Sequence, residues 1–352
     1  MHDFNSWPTV LDTLIRGEDL TIGQASWAME EVMQGRAADA LIGGLLVGLR
    51  AKGETVDELI GFRDAALSNA LPLPGGSEML DIVGTGGDRL QTVNISTMAS
   101  ILVAASGVPV LKHGNRAVSS LSGTGDVLQV LGLIPTGEDP EIVRSIFDEV
   151  GISFAHAARF HPGFRHAAGV RKALGVPTVF NVLGPLINPA RPEASALGVA
   201  DRAMIEKFVG VFATRGATAL VFRGEDGLDE VTTTGYTQMF EVSRGDVLEY
   251  SLDPRELGIP RAQLEDFRGG DPEHNAKVVE AVFAGAEGPI RDIVRLNAAV
   301  GRAAWSLHLD PREKDIPLLA RIERELDAVT KSLDAGHATE KLAAWRSAVQ
   351  SR

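Results

Sequence analysis

The chain contains no cysteine in its 352 residues. That excludes disulfides, thiolate metal sites and a cysteine nucleophile, and gives no support to a disulfide-stapled secreted protein. No run of Lys and Arg is long enough to track a phosphate backbone, and the net charge is −13, so a general nucleic-acid surface is excluded. No stretch reaches the roughly 18 uninterrupted apolar residues that a membrane helix needs. The start, MHDFNSWPTVLDTLIRGEDL, lacks a basic segment followed by an apolar run of signal-peptide length. The expectation is a soluble cytoplasmic protein that works on small molecules, with neither nucleic acid nor membrane as partner.

What is present suits a sizeable core. With 44% hydrophobic and 23% charged residues, the chain fits one large or two ordinary globular domains. From about Thr21 to Ala70 the pattern is helical. Ala25, Ala28, Met29 and Val32 recur at helical spacing before Gly35, a Gly- and Leu-rich helix runs to Gly53, and Thr55 with Glu58 forms a capping box that opens a third. The glycine-rich helix is too apolar to stand alone and suits close packing against neighbours or across a subunit interface. LPLPGG, Leu71 to Gly76, reads as a linker. The expected division is a helical domain over 1–70, a linker over 71–76 and an α/β domain over 77–352, with later helical segments as candidates to join the first.

Beyond the linker, short apolar strands alternate with helices, the mark of a mostly parallel α/β sheet. Strands are predicted at Met79–Val83, Val108–Leu111, Ile152–Ala155, Ser195–Val199 and Ala217–Phe222. Helices are predicted at Ser96–Ser106, Pro140–Val150, Phe164–Leu174 and Arg202–Arg215, with further helices closing the chain.

Three polar clusters fall at predicted strand ends. The first, DIVGTGGDRLQTVNIST from Asp81 to Thr97, combines Gly84, Gly86 and Gly87 with hydroxyls and an Asn. Glycines admit backbone N–H groups to an oxyanion, and a helix start adds about 0.3 to 1 kcal/mol of favourable field. It matches neither GxGxxG nor the GxxxxGK[ST] loop. A phosphate cradle and a tight structural turn both explain it. The second presents Lys112, His113, Asn115, Arg116, Ser119, Ser120 and Thr124 on a loop after a strand, which reads as an anion site facing the first or as a solvated basic turn. The third carries Glu225, Asp226, Asp229 and Glu230, hard oxygen ligands suited to Mg2+. A solvated acidic turn is the plain alternative. Beside a diphosphate these acids require a metal between them, because like charges a few ångströms apart repel by about 1 kcal/mol in water and by several in a partly buried site.

GTGGD with NIST, then KHGNR, HPGFRHAAGVRKALGVPTVFNVLGPLINPARP and GEDGLDE follow one another in the order and spacing of anthranilate phosphoribosyltransferase. The chain resembles that family from its first helices to its last. The resemblance implies a small helical domain hinged to a larger α/β domain, a homodimer formed through the helices, and Mg2+-dependent transfer of phosphoribose from phosphoribosyl diphosphate (PRPP) to anthranilate. Carried over by motif, PRPP would be held by Gly84, Gly87, Asp88, Thr92, Asn94, Ile95, Ser96 and Thr97, by Lys112, His113, Gly114, Asn115 and Arg116 through Ala117, Val118, Ser119 and Ser120, and by Thr124. Ser96 would touch one Mg2+, and Asp229 with Glu230 the other. Gly84, Asn115 and Arg171 would face anthranilate, with His113 close by. DRLQT stands where many relatives carry smaller residues, which makes Arg89 either a phosphate contact or an exposed side chain. Thr124 replaces the usual Ser and keeps the hydroxyl.

The chemistry asks for stabilisation of a departing diphosphate and for an amine held in line. The amine of anthranilate is neutral near pH 7, so no strong base is required. His113 could assist proton removal or orient substrate. Rival readings are a nucleoside phosphorylase of the same fold, a transferase for another aromatic amine, and a non-catalytic binding paralogue, which the intact motifs and acidic charge disfavour.

Overall fold

The computed structural model describes residues 5–116 and 121–352. The expectations at Ala117, Val118, Ser119 and Ser120 lie outside the described residues. The chain forms two compact units, one made of the residues up to Pro72 with Ala157–Pro189, the other of Leu73–His156 with Ala190–Arg352.

In the smaller unit the helices Trp7–Ile15, Ile22–Met33, Asp39–Lys52 and Val56–Ser68 pack at glycine contacts. Gly44 and Gly48 lie against Leu11 and Leu14, where a Cβ would come within 3.0 Å of either side chain. Gly61 sits so close to the Ile22 carbonyl that a Cβ would lie 2.5 Å from it. The Thr55–Glu58 capping box is present, and the buried Glu58 carboxylate also accepts from Leu20 N–H at 2.9 Å and Lys52 Nζ at 3.0 Å. Ala157–Pro189 groups with these helices, as the expectation of later helical segments joining the first allowed. Buried His161 bonds the Ile187 carbonyl at 2.8 Å, Phe164 meets the edge of Phe180 at 5.1 Å, and Gly163 packs on the Met33 backbone. Its helix, Arg165–Leu174, falls between two strands of one sheet. In sequence that placement looks the same as an ordinary crossover helix.

The larger unit holds one seven-stranded sheet: β1 (Leu80–Gly84), β2 (Val110–Gly114), β3 (Ile152–His156), β4 (Ala194–Gly198), β5 (Thr218–Gly224), β6 (Thr237–Ser243) and β7 (Asp246–Leu252). Its order is β3-β2-β1-β4-β5-β6-β7, parallel through β5 and antiparallel beyond it. The closing hairpin was not predicted. Its two-residue turn is Arg244-Gly245, both at positive φ (51° and 89°), a hairpin geometry usually announced by Asn-Gly or Asp-Gly. The helices Ile95–Ala105 and Pro289–Leu309 cover the sheet with almost wholly buried apolar faces. From β1 the chain proceeds outward to β2 and β3, then returns to build β4 and β5 on the other side. The crevice at the carboxyl ends of β1 and β4 is therefore a topological switch point, where open α/β sheets bind ligands.

Candidate active site

Gly84 and Gly198 are paired at the ends of β1 and β4. A Cβ on Gly84 would land on the Asp229 carboxylate, and one on Gly198 on the Asp229 carbonyl. Two glycines in register thus make the space that Asp229 fills. Its Oδ2 accepts the Gly86 N–H at 2.7 Å. Burial of the carboxyl group, then the neighbouring Asp88 charge, pushes Asp229 up to about 7. Burial also raises Asp88, whose carboxyl group hydrogen-bonds Asp229. Without a cation these two acids share a proton more readily than they ionise together.

Glu230, buried, accepts the Ser96 backbone N–H at 3.0 Å and so caps the first turn of the helix Ile95–Ala105. Burial first, and the Asp229 charge second, hold its carboxyl well above the usual range. Lys112 completes the group, donating to the Ile82 carbonyl and, at 3.2 Å, to the Ser96 hydroxyl. The other acids of GEDGLDE serve the turn. Asp226 accepts the hydroxyls of Thr232 and Thr234 at 2.5 and 2.6 Å, and Glu225 accepts the Tyr236 N–H at 3.2 Å. Composition could not separate those two acids from the pair that enters the crevice.

Lys112 and His113 correct an expectation, since both lie inside β2 at 2% and 1% exposure rather than on a loop. Burial lowers the Lys112 pKa against the opposing pull of Asp81, Glu230 and Asp229. The reason is that β2 runs to Gly114, and a parallel strand covered on both faces buries polar residues when they have partners. His113 donates its backbone N–H to Asp81 at 3.3 Å. Asn115 and Arg116 follow the strand and are exposed. The first two clusters meet through Lys112 with Ser96 and through the hydroxyls of Thr97 and Thr124, 3.4 Å apart.

The glycine loop itself is strained: Gly86 and Gly87 have φ of 70° and 86°, and the non-glycine residues Arg89 and Gln91 have 61° and 55°. Consecutive left-handed residues turn their N–H groups to one side, which makes an anion-accepting concavity. A distant segment braces it. Thr92 bridges Arg268, Val93 N–H donates to the Phe267 carbonyl at 2.8 Å, and Asn94 Oδ1 accepts from Asn275 at 2.9 Å. Gly269 is packed so tightly that a Cβ would lie 2.7 Å from the Thr92 carbonyl. No sequence signal had singled out this segment. In the smaller unit, Arg171 lies over the Phe180 ring at 5.2 Å, and burial lowers its pKa.

The donor set fits a divalent cation. Among the described residues no group of three or more His, Asp or Glu side chains forms a cage, yet Mg2+ that keeps waters and substrate phosphates needs only one or two carboxylates. Asp229 and Glu230, held next to each other and next to Asp88, are acids whose joint ionisation such a cation relieves.

Comparison with known proteins agrees with this architecture. Residues 8–70 match the glycosyl transferase family helical bundle domain and residues 76–338 its a/b domain. An anthranilate phosphoribosyltransferase of Leifsonia xyli is 57% identical over 99% of this chain and 100% of its own length. The crystal structure of the Thermus thermophilus enzyme of that name superposes with a TM-score of 0.88 at 37% identity, covering 97% of this chain and 99% of that one. The Saccharomyces cerevisiae enzyme, in complex with PRPP and Mg, shares the fold at a TM-score of 0.88 and 24% identity, over 98% of each chain. A paired-glycine crevice with two acids at the switch point, within a two-part chain alike from end to end, places this protein in the anthranilate phosphoribosyltransferase family.

Proposed function

We infer that this chain transfers the phosphoribosyl group of PRPP to the amine of anthranilate, giving N-(5-phosphoribosyl)anthranilate and diphosphate in tryptophan biosynthesis. The observation that carries the reading is Asp229 seated over Gly84 and Gly198 beside the start of the helix Ile95–Ala105. That arrangement sets a helix N-terminus, which favours anions, beside carboxylates for a cation at one switch point.

In this reading the loop Gly84–Asp88 and the segment Thr92–Thr97 hold the diphosphate and ribose, with Lys112, Gly114–Arg116 and Thr124 beside them. Asn115 faces anthranilate. Two Mg2+ ions belong to the site, one at Ser96 and one at Asp229 with Glu230; bound there, they offset the charge of the diphosphate. The residues of the chain position the reactants, and well-oriented neighbours are worth about 7 to 11 kcal/mol. A homodimer through the helical unit completes the reading, supported by Ile15 and Val47, apolar side chains 82% and 49% exposed on its helices.

Loss of anthranilate fluorescence on mixing the protein with PRPP and Mg2+, against an EDTA control, tests the donor, the acceptor and the metal together. A metal-dependent decay is expected. No decay with PRPP still bound overturns the acceptor and points to another aromatic amine.

A further inference from the structure

Asn115 stands one residue past the end of β2, beside the end of β3, where Gly114 pairs with His156. Its Oδ1 is held twice: it accepts the Arg116 backbone N–H at 2.8 Å and faces His156 Nε2 at 3.2 Å. The first contact fixes the amide, because turning it over would set an NH2 group against an N–H. His156 must therefore donate from Nε2. Its other nitrogen, Nδ1, faces both oxygens of Glu138 at 3.1 and 3.0 Å, and a carboxylate accepts. Both ring nitrogens thus face acceptors, Asn115 Oδ1 on one side and the Glu138 carboxylate on the other. The ring is 8% exposed and lies near-parallel to Phe154 at 6.0 Å, which keeps it in this plane.

Glu138 reaches His156 from a strained backbone. Its φ is 45°, directly after Gly137 at 82°, and non-glycine residues occupy that region only when surrounding structure demands it.

We propose that Glu138 and His156 are positioning residues for the acceptor amine: Glu138 holds the His156 ring, the ring holds Asn115 Oδ1, and the Asn115 Nδ2 group is thereby presented to anthranilate. Nδ2 bonds none of the described residues. The proposal rests on Asn115 facing the acceptor, as read above. The relay adds a further requirement, that the orientation of the amide depends on two residues with no substrate contact of their own.

The test is steady-state kinetics on the full chain, on His156→Phe, Glu138→Gln and Asn115→Ala, and on the Asn115→Ala/His156→Phe double variant. His156→Phe is expected to raise the KM for anthranilate about tenfold, the scale of one well-placed hydrogen bond, with the KM for PRPP unmoved. Glu138→Gln moves it the same way, and His156→Phe adds nothing once Asn115 is Ala. Equal effects with and without Asn115, or a KM for PRPP that rises in step, overturn the relay. A shift with Asn115→Ala but none with His156→Phe overturns the relay and leaves the acceptor reading standing. Nitrogen-15 NMR of the unsubstituted chain at pH 7, without substrates, judges the relay independently of turnover. A proton on His156 Nε2, the nitrogen that faces Asn115 Oδ1, is expected, and a bare Nε2 overturns the relay. A chain that fails to consume anthranilate while showing the Nε2 proton defeats the acceptor reading alone.

Discussion

Glu230 caps the helix Ile95–Ala105 through the Ser96 N–H at 3.0 Å, across 134 positions of sequence. The amide that a phosphate would seek is thus already engaged by a carboxylate of the protein. Glu230→Ala frees it, so PRPP should bind several-fold tighter without Mg2+, by roughly 1 kcal/mol. Turnover with Mg2+ should fall in the same variant. Calorimetric titration of PRPP with and without EDTA reads both, and weaker metal-free binding would contradict the cap.

Asp229→Asn keeps the shape and the acceptor for Gly86 N–H but removes the charge. Folding is expected to survive. At limiting Mg2+, turnover should drop on the order of 100-fold, the usual size of a lost electrostatic contact to a reacting group. Kinetics unchanged across a magnesium titration would take Asp229 out of the metal site.

The raised pKa of Asp229 sets a direction for stability. Its folded value of about 7 lies above the unfolded one, so the folded state binds the extra proton. That contribution is complete below about pH 4 and is lost as pH rises through 7, by at most about 1.4 kcal/mol per unit. Metal-free protein should therefore lose stability between pH 5 and 8, where Asp229→Asn shows a flatter profile. Mg2+ should restore stability at the alkaline end and release protons on binding. Urea unfolding at several pH values checks the slope.

Gly198→Ala tests the glycine pair. The new methyl would meet the Asp229 backbone carbonyl, which cannot swing aside as a side-chain end can, so a loss of about 1 to 3 kcal/mol is expected. PRPP affinity should fall with it, because Asp229 and Glu230 move together. Gly76→Ala, whose Cβ would meet nothing within 4 Å, serves as the control in thermal unfolding.

Most of the sheet was legible because a parallel strand buried on both faces reads as a short apolar run; four of the five parallel strands fall within two residues of their predicted places, and β2 ends three residues beyond its own. The β6–β7 hairpin escaped because Arg244 occupies a turn position where Asn or Asp would have announced it. The polar clusters were visible as composition, but composition carries no direction. It could not tell Asp229 and Glu230 from Glu225 and Asp226, nor foresee that Lys112 points inward. The partners of Asn94 and Asn115, which are Asn275 and His156, come from segments far along the chain. Such contacts exist only once the fold exists.

The place of β4 between β1 and β5 also bears on how the protein is made. When β1 leaves the ribosome, one of its edges finds β2 soon afterwards, while the other waits about 110 residues for β4. At roughly 5 to 20 residues per second, that edge stays open for about 5 to 20 seconds. An open strand edge invites pairing with other chains. Its last residue, Gly84, is also where Asp229 must later seat, so the interval in which the nascent chain is most prone to aggregate is the one before its catalytic crevice can form.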